Sequence, residues 1–408
     1  MNEFKLLLPV IVGSILVGYV LAFNSYSFPD ISCAFNFNYQ QIISYLSFYV
    51  FAAILTPQVI RKYSNSGKYE DIFENIHLIS SFSWIPIIFS TNSMSSISFI
   101  SPFFFGISLS LFYTFNLFLL FRNLRFSPKN NISQFSAVFD VCVKLGFLYE
   151  NIVFYFSNWR ISAFVGCLMS ILIFKLFDSI PTGALDNFSM TNEMVSTETQ
   201  THLTSFFQHF LISLIKFLPG RYFYQKNAEF VFEFNFSGII FDSIVVGCSL
   251  FYLLFTRLFS QCFTSLNSFS KIFIFTSISA SLSGFAFSYF SYQLETKSWS
   301  FIQLVLILST VFRLFFSTFC FSHYSLIVFL SLQKNITIYN TLNFVSAELT
   351  AFFGMKLFYL LLNEYVNDIF RESLVCSFLT LLCSIFGIFK IKMLNKTANE
   401  ESEYLINN

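Results

Sequence analysis

Residues 6–28 read LLLPVIVGSILVGYVLAFNSYSF, a stretch of 23 residues without an Asp, Glu, Lys or Arg. As an α-helix this stretch is about 35 Å long, which is enough to cross the ~30 Å hydrocarbon core of a bilayer. Comparable apolar stretches follow it along most of the chain. Residues 6–28 therefore predict a membrane-spanning helix and define the pattern on which the fold depends.

The composition places the whole chain in the same class. Of its 408 residues, 55% are hydrophobic and 11% are charged, whereas about a quarter of the residues are charged in an average soluble domain. A water-soluble fold is therefore excluded. The formal net charge of +1 provides no basic face, so the sequence also argues against nucleic acid as a partner.

Twelve apolar stretches are long enough to be predicted as membrane-spanning helices. They are residues 6–28, 41–60, 76–94, 97–121, 132–157, 161–180, 203–229, 236–260, 272–293, 301–332, 336–362 and 370–391. The polar stretch 181–202 is rich in Ser, Thr, Asn and Glu and is predicted to be a linker. The sequence thus predicts an all-α integral membrane protein with two six-helix bundles. The predicted parts are bundle 1–180, linker 181–202, bundle 203–392 and tail 393–408.

Basic residues are concentrated in alternate loops, and this asymmetry predicts the orientation of the chain. The second loop carries Arg61 and Lys62, and the end of the last span and the tail carry Lys390 and Lys392, whereas residues 30–41 contain no Lys or Arg. Short basic loops stay on the cytoplasmic side of a membrane. Both ends of the chain and the linker are therefore predicted to be cytoplasmic, and the plasma membrane is the expected location.

Six spans, a polar linker and six further spans form the layout of the major facilitator superfamily, whose halves rock around a midplane site. Several short segments narrow the resemblance. They are Phe103–Ile107 in the fourth span, Trp159 opening the sixth, Tyr222-Phe223 and Asn227 in the seventh, Val311–Arg313 in the tenth and Asn343 in the eleventh. On these residues the chain resembles the reduced folate and thiamine transporters, a family of solute carriers. The resemblance implies a vitamin such as thiamine or folate as the solute.

Two segments depart from the pattern of that family. Residues 21–28, LAFNSYSF, stand where the family has a charged and proline-rich signature. Leu111, Phe112 and Tyr113 stand where the family has a polar or charged residue early in the fourth helix. We therefore expect the fold to carry over from the resemblance, while the departures argue against carrying over the vitamin substrate.

Asp140 and Lys144 lie four residues apart in the fifth span, which places them on one helical face at salt-bridge distance. A charge at the bilayer centre costs at least roughly 2.5–3.5 kcal/mol on insertion scales, so a retained charge usually faces a cavity or a partner. Two interpretations follow. The pair either neutralises itself structurally or opens to bind an ionised solute.

The tenth and eleventh spans supply the other candidates for solute binding. Arg313 is the main candidate for binding an anionic group, and the alternative is an arginine bonded to backbone carbonyls. Glu348 and Lys356 lie eight residues apart on one face of the eleventh span. Hydrogen bonds to a polar solute are expected from Tyr222, Asn227 and Asn343.

Proton coupling is a further hypothesis. Imidazole changes charge near physiological pH, so His323 can exchange a proton with a nearby acid. The candidate acids are Asp242 in the eighth span and Glu348 in the eleventh. The alternative is a histidine that is simply hydrogen-bonded within the bundle.

No enzymatic motif is present: the chain lacks GxSxG, HExxH and GxxxxGK[ST], and its eight cysteines lack CxxC spacing. The sequence therefore predicts no catalysis, no metal site and no cofactor. We expect a secondary transporter that moves a small polar or charged organic solute by alternating access, with the oligomeric state left open. Two alternatives remain. One is an equilibrative nucleoside transporter, suggested by Phe241-Asp242, and the other is a non-transporting carrier that acts as a membrane receptor.

Overall fold

In a computed structural model of the chain, the structure describes fifteen segments. They are residues 2–64, 76–125, 132–177, 206–207, 209–211, 213–214, 237–258, 266–296, 308, 312, 338–365, 370–371, 374–382, 384–386 and 388–389. The secondary structure of these segments is helical throughout, with turns between helices and no strand among the described residues.

The helices follow the predicted order. They are α1 (Asn2–Ala34), α2 (Tyr39–Ser64), α3 (Ile76–Phe89), a 3₁₀-helix (Asn92–Phe99), α4 (Ile100–Arg125), α5 (Ile132–Phe156), α6 (Trp159–Phe177), α7 (Ser237–Leu258), α8 (Leu266–Thr296) and α9 (Ile338–Tyr365). The predicted spans 203–229 and 301–332 fall mostly outside the described residues.

Five helices are long and apolar enough to cross a membrane, judged by length and composition within the described part of the chain. The qualifying stretches are Leu8–Ala34, Tyr39–Ile60, Ile97–Leu117, Gly238–Leu258 and Thr341–Leu362. The chain is accordingly a multi-pass integral membrane protein. The count of twelve spans and the orientation of the termini stay predictions.

The connection between α1 and α2 shows why α1 is longer than the predicted span. The predicted span ends at Phe28, but α1 continues to Ala34. It stops where Asn36 takes a φ of 51°, a conformation that asparagine adopts more readily than most residues. The N–H of Phe37 then donates to the carbonyl of Ser32 at 2.8 Å, as expected for a Schellman end.

A reciprocal pair of hydrogen bonds begins α2. The side-chain oxygen of Asn38 accepts from the N–H of Gln41 at 2.8 Å, and the side-chain oxygen of Gln41 accepts from the N–H of Asn38 at 2.8 Å. This is a capping box, which satisfies two backbone donors that a helix start leaves without partners. The turn between α1 and α2 is thus defined by local sequence.

In α6 the small side chains are buried and the large apolar ones are exposed, the opposite of a helix in a soluble protein. Small residues face the protein interior: Ser162, Ala163, Gly166 and Ser170 are buried. Large apolar residues face outwards, namely Ile161, Phe164, Leu168, Ile171 and Leu172. A lipid environment explains both faces, because small residues allow close helix packing and lipid tails solvate the large apolar side chains.

Gly18 and Gly146 bring α1 and α5 into backbone contact. A Cβ atom on Gly18 would lie 1.8 Å from the carbonyl oxygen of Val143, and a Cβ on Gly146 would lie 2.0 Å from that of Ile15. Any larger residue at either position would push the two helices apart. The crossing sets the position of α5 relative to α1, and with it the polar groups of both helices.

Contacts divide the chain into two compact units. The first contains Met1–Pro128, Val138–Phe210 and Leu332–Leu357, and thus α1 to α4, most of α5, α6 and most of α9. The second contains Lys129–Ala137, Leu211–Ser331 and Phe358–Asn408, and thus α7 and α8. Most of α9 therefore groups with helices from the start of the chain. The division into sequential bundles 1–180 and 203–392 stays a prediction.

Candidate functional site

The first compact unit contains the ion pair that the sequence predicted. The ammonium of Lys144 donates to Oδ2 of Asp140 at 2.8 Å, across one turn of α5. Both side chains are buried, with 8% and 2% of their surface exposed. Removing one partner of a buried pair leaves a costly uncompensated charge, so each residue stabilises the other in the interior.

Glu348 of α9 contacts α4 through Tyr113. The phenol of Tyr113 donates to Oε2 of Glu348 at 3.0 Å, and both residues are buried. The ring of Tyr113 is stacked on Phe139, with ring centres 5.5 Å apart and planes at 11°. Tyr113 therefore links Glu348 of α9 to α5, the helix that also carries the ion pair.

Lys356 ties α9 to α1. Its ammonium donates to the backbone carbonyl oxygen of Asn24 at 2.8 Å and lies 4.8 Å from the ring centre of Phe352. A cation over an aromatic face is stabilised by the quadrupole of the ring. Glu348, Phe352 and Lys356 are spaced by four residues, so the face that the sequence predicted for Glu348 and Lys356 makes these contacts.

Tyr49 extends the same contacts to α2. Its ring is stacked on Phe353 of α9, with centres 4.4 Å apart and planes at 15°, and its hydroxyl donates to Oδ1 of Asn24. Tyr49 is fully buried. The charged face of α9 is therefore held by α1, α2 and α4 within one compact unit.

The side-chain amide of Asn116 in α4 makes no hydrogen bond with the described residues of this unit. Its side chain is fully buried, and neither its oxygen nor its nitrogen has a hydrogen-bond partner among the described residues. A Cβ atom on Gly13 of α1 would lie 2.7 Å from both amide atoms. Buried amides are nearly always hydrogen-bonded, so an unpaired one marks a place where a solute or a water has groups to bind.

Glu150 is a second buried acid of α5, and sequence reasoning did not single it out. Its Oε1 accepts hydrogen bonds from Ser27 of α1 at 3.0 Å and from Ser162 of α6 at 2.9 Å. The hydroxyl of Tyr19 donates to the carbonyl oxygen of Ser162 at 2.8 Å. Glu150 is fully buried. The cost of charge within a span was the signal that applied to this residue as much as to Asp140.

The first turn of α6 is positioned by its cap. Oδ1 of Asn158 accepts from the backbone N–H groups of Arg160 and Ile161, both at 3.0 Å, as an N-cap residue does. The guanidinium of Arg160 donates to the carbonyl of Ser90 at 3.1 Å and lies over the ring of Trp159. This cap places Ser162 one turn into the helix, beside Glu150.

The remaining predicted residues are distributed unevenly. Asn343 of α9 is buried in the first unit, and Asp242 of α7 is buried in the second. Four residues lie outside the described part of the chain: Arg313, His323, Tyr222 and Asn227. Among the described residues, no group of three or more His, Cys, Asp and Glu is arranged to hold a metal ion.

The chain is similar to solved structures of transporters, although no protein-family model and no curated protein sequence matches it. One is the xylose transporter XylE from E. coli in a partially occluded inward-open form, at a TM-score of 0.64 and 15% identity, covering 94% of this chain and 97% of that one. The human organic anion transporter MFSD10 matches at a TM-score of 0.62 and 13% identity, covering 94% of this chain and 99% of that one. A bacterial homologue of the iron transporter ferroportin in an outward-facing state matches at a TM-score of 0.67 and 13% identity, covering 97% of this chain and 100% of that one.

These similarities establish the fold. At identities of 13–15% over nearly complete chains, they show that the chain has the major facilitator fold. The expectation of that fold from the layout of spans is thereby confirmed. The narrower resemblance to the folate and thiamine transporters stays a prediction.

Proposed function

We propose that this chain is a secondary transporter that moves a small polar or charged organic solute across a membrane by alternating access, and that it is not an enzyme. The observation that carries this proposal is the charged face of α9, where Glu348 and Lys356 contact helices from the start of the chain. Ionisable residues inside membrane-spanning helices rarely face lipid. They usually face the bundle interior or a water-filled cavity, and they often mark the pathway of a solute. The fold shared with sugar, organic anion and iron transporters supports the same function.

The polar groups of the first unit offer complementary chemistry to a solute. Lys144 and Lys356 are cations, Asp140 and Glu348 are acids, and Asn116 has an unpaired amide with both a donor and an acceptor. Such a set suits a solute with hydroxyl, amine or carboxylate groups better than an apolar one. In this proposal Asn343 belongs to the same binding region, and Arg313, Tyr222 and Asn227 contribute from the second half of the sequence.

The test is uptake into proteoliposomes that contain the purified protein. The panel comprises labelled sugars, nucleosides, organic anions, thiamine and folate, so that it includes the vitamin and nucleoside hypotheses. We expect saturable uptake of at least one polar solute, and loss of that uptake in Glu348→Gln and in Asn116→Leu. Gly247→Ala is the matched control, because no atom lies within 4 Å of the added methyl group.

Two other outcomes would contradict the proposal. A solute that raises the thermal stability of the protein but never enters the vesicles would indicate the receptor alternative. Absence of both binding and uptake across the panel would argue against a transporter of small polar solutes. Normal uptake by well-folded Glu348→Gln would remove the charged face of α9 from the solute site.

Arg313 supplies a separate test of solute charge. A guanidinium binds a carboxylate or phosphate through two parallel hydrogen bonds, a geometry that lysine does not reproduce. If the solute is an anion held by this residue, Arg313→Lys impairs uptake and Arg313→Leu abolishes it while surface abundance stays normal. Loss of abundance in both variants would indicate a structural arginine, and normal uptake by Arg313→Leu would exclude the role.

A further inference from the structure

Glu150 is the centre of a hydrogen-bond network that joins three helices. Its Oε1 accepts from Ser27 of α1 at 3.0 Å and from Ser162 of α6 at 2.9 Å. Tyr19 of α1 is 3.0 Å from the hydroxyl of Ser162 and 2.8 Å from its carbonyl oxygen. All four side chains are buried. The described hydrogen bonds of this network thus join one carboxyl group and three hydroxyl groups in the interior of the first unit.

Hydroxyl partners permit two protonation states where an ammonium permits one. A serine or tyrosine hydroxyl both donates and accepts, whereas the lysine ammonium donates only. When Glu150 is ionised, Ser27 and Ser162 donate to it, as the structure shows. When Glu150 is neutral, its own O–H group can donate to one of these hydroxyl oxygens after the hydroxyl rotates. Neither state leaves the carboxyl group without a hydrogen bond.

The charged and titratable groups around this network come from each packed element. Tyr19 faces it from α1, and Tyr149, the neighbour of Glu150 in α5, has its ring centre 5.7 Å from that of Tyr19. From α9, Lys356 bonds the carbonyl of Asn24, about one helical turn before Ser27. Arg160 of α6 is engaged with Ser90 and Trp159. Lys144 of α5 lies six residues before Glu150, about 9 Å along the helix, and bonds Asp140.

We infer that Glu150 is a proton-binding site of this chain, and that it loads and releases the proton that is exchanged during transport. The step is a simple one: a proton forms an O–H bond with the carboxylate, the negative charge disappears, and one serine hydroxyl changes from donor to acceptor. Release reverses these changes. Glu150 lies six residues before the last residue of α5, so about 9 Å of helix separates it from the connection to α6. The coupling role rests on the proposed transport function, whereas proton binding does not.

Infrared difference spectroscopy on the purified protein in lipid tests proton binding without any solute. A protonated carboxyl group has a C=O stretching band that the carboxylate lacks. We expect a band that appears and disappears reversibly with pH, is absent in Glu150→Gln and is retained in Asp140→Asn. Should Glu150→Gln fold poorly, Ser162→Ala keeps the carboxyl group and removes one hydrogen bond to Oε1, so the same band should move to higher frequency. A band unaffected by both variants, or no titrating carboxyl band while the protein is folded, would overturn the inference.

Transport experiments then separate this inference from the proposed function. With the solute found in the uptake panel, Glu150→Gln should lose accumulation driven by a pH gradient and keep exchange of labelled for unlabelled solute. Undiminished gradient-driven accumulation by Glu150→Gln would overturn the coupling role. Failure of the unmodified chain to transport any solute would overturn the transport function instead, while the infrared titration still decides whether Glu150 binds a proton.

Discussion

Asp140 and Glu150 are two buried carboxylates on one helix with different partners. Asp140 accepts a hydrogen bond from Lys144, one turn further along α5, whereas Glu150 accepts from Ser27 of α1 and Ser162 of α6. The ion pair of Asp140 and Lys144 is formed within a single helix. The described hydrogen bonds of Glu150 form where three helices meet. Burial alone therefore does not determine what an acid in a membrane protein does, because its partners decide whether it can change charge.

The comparison also concerns what each acid loses when its charge is removed. A neutral residue at position 140 leaves the ammonium of Lys144 in the interior without its carboxylate, and Lys144 cannot accept a hydrogen bond in compensation. A neutral amide at position 150 meets hydroxyls that donate or accept as required. Isosteric amides thus separate the two carboxylates experimentally.

The largest expected effect is on stability after neutralising Asp140. Asp140→Asn should lower the free energy of unfolding by about 3–5 kcal/mol, the usual cost of breaking a buried ion pair. Glu150→Gln should cost less than about 1 kcal/mol, because its described hydrogen bonds come from neutral hydroxyls, which an amide oxygen can also accept. Thermal unfolding in detergent compares the two. The double variant Asp140→Asn, Lys144→Met should recover much of the loss. Equal losses in the two single variants would break the comparison.

Glu348 adds a third acid to the comparison, with a hydroxyl partner from another helix. Tyr113→Phe removes the hydrogen bond to Oε2 and keeps the ring that stacks on Phe139. We expect a loss of about 1.5–3 kcal/mol, the range for a hydrogen bond to a charged group. Tyr149→Phe is the control, because Tyr149 is 43% exposed. A loss no larger than that of the control would show that the hydroxyl contributes nothing to the stability of the fold.

Gly146→Ala sharpens the comparison because it acts on only one of the two arrangements. The added methyl group would meet the carbonyl of Ile15 and displace α5 from α1. We expect a destabilisation of roughly 1–3 kcal/mol, as for other overpacked sites. The carboxyl band assigned to Glu150 should shift, since Ser27 belongs to α1, while the pair of Asp140 and Lys144 persists within α5. Gly354→Ala is the matched control, with no atom within 4 Å. An unshifted band would contradict the dependence on helix packing.

The smallest expected effect comes from Ser27→Ala. It removes one of the two donors to Oε1 of Glu150 and leaves Ser162 in place. We expect a cost of about 0.5–1.5 kcal/mol in unfolding free energy, less than for Tyr113→Phe, because Ser162 still donates to the same oxygen. The carboxyl band should move to higher frequency, as in Ser162→Ala. A change in stability without any change in the band would assign Ser27 a purely structural role.

Local sequence accounts for much of the fold and for one of the two carboxylates. The order of the helices followed from hydropathy, and the contact between Asp140 and Lys144 followed from their spacing, because both features are properties of single segments. The apolar stretch ends at Phe28, six residues before the end of α1, because the helix continues until the left-handed Asn36 terminates it. Helix ends depend on such cap geometry more than on composition.

The rest of the site depends on contacts that spacing cannot give. Tyr113 and Glu348 are 235 residues apart in the chain, and Lys356 and Asn24 are 332 apart. Glu150 was passed over because no basic residue follows it at helical spacing, and its partners come from α1 and α6. Serine and tyrosine are abundant throughout the chain, so nothing in the sequence distinguishes these partners from others.

The glycine crossing of α1 and α5 has a consequence for movement. The two backbones approach this closely because Gly18 and Gly146 have no Cβ atom, so sliding one helix by a full turn, about 5.4 Å, would bring a larger residue against the other backbone. We therefore expect the two helices to move together. Ser27 and Glu150 would then keep their distance during transport, so separating them would not produce the change in protonation. Access of the proton from either side of the membrane would instead be controlled by the helices around this pair.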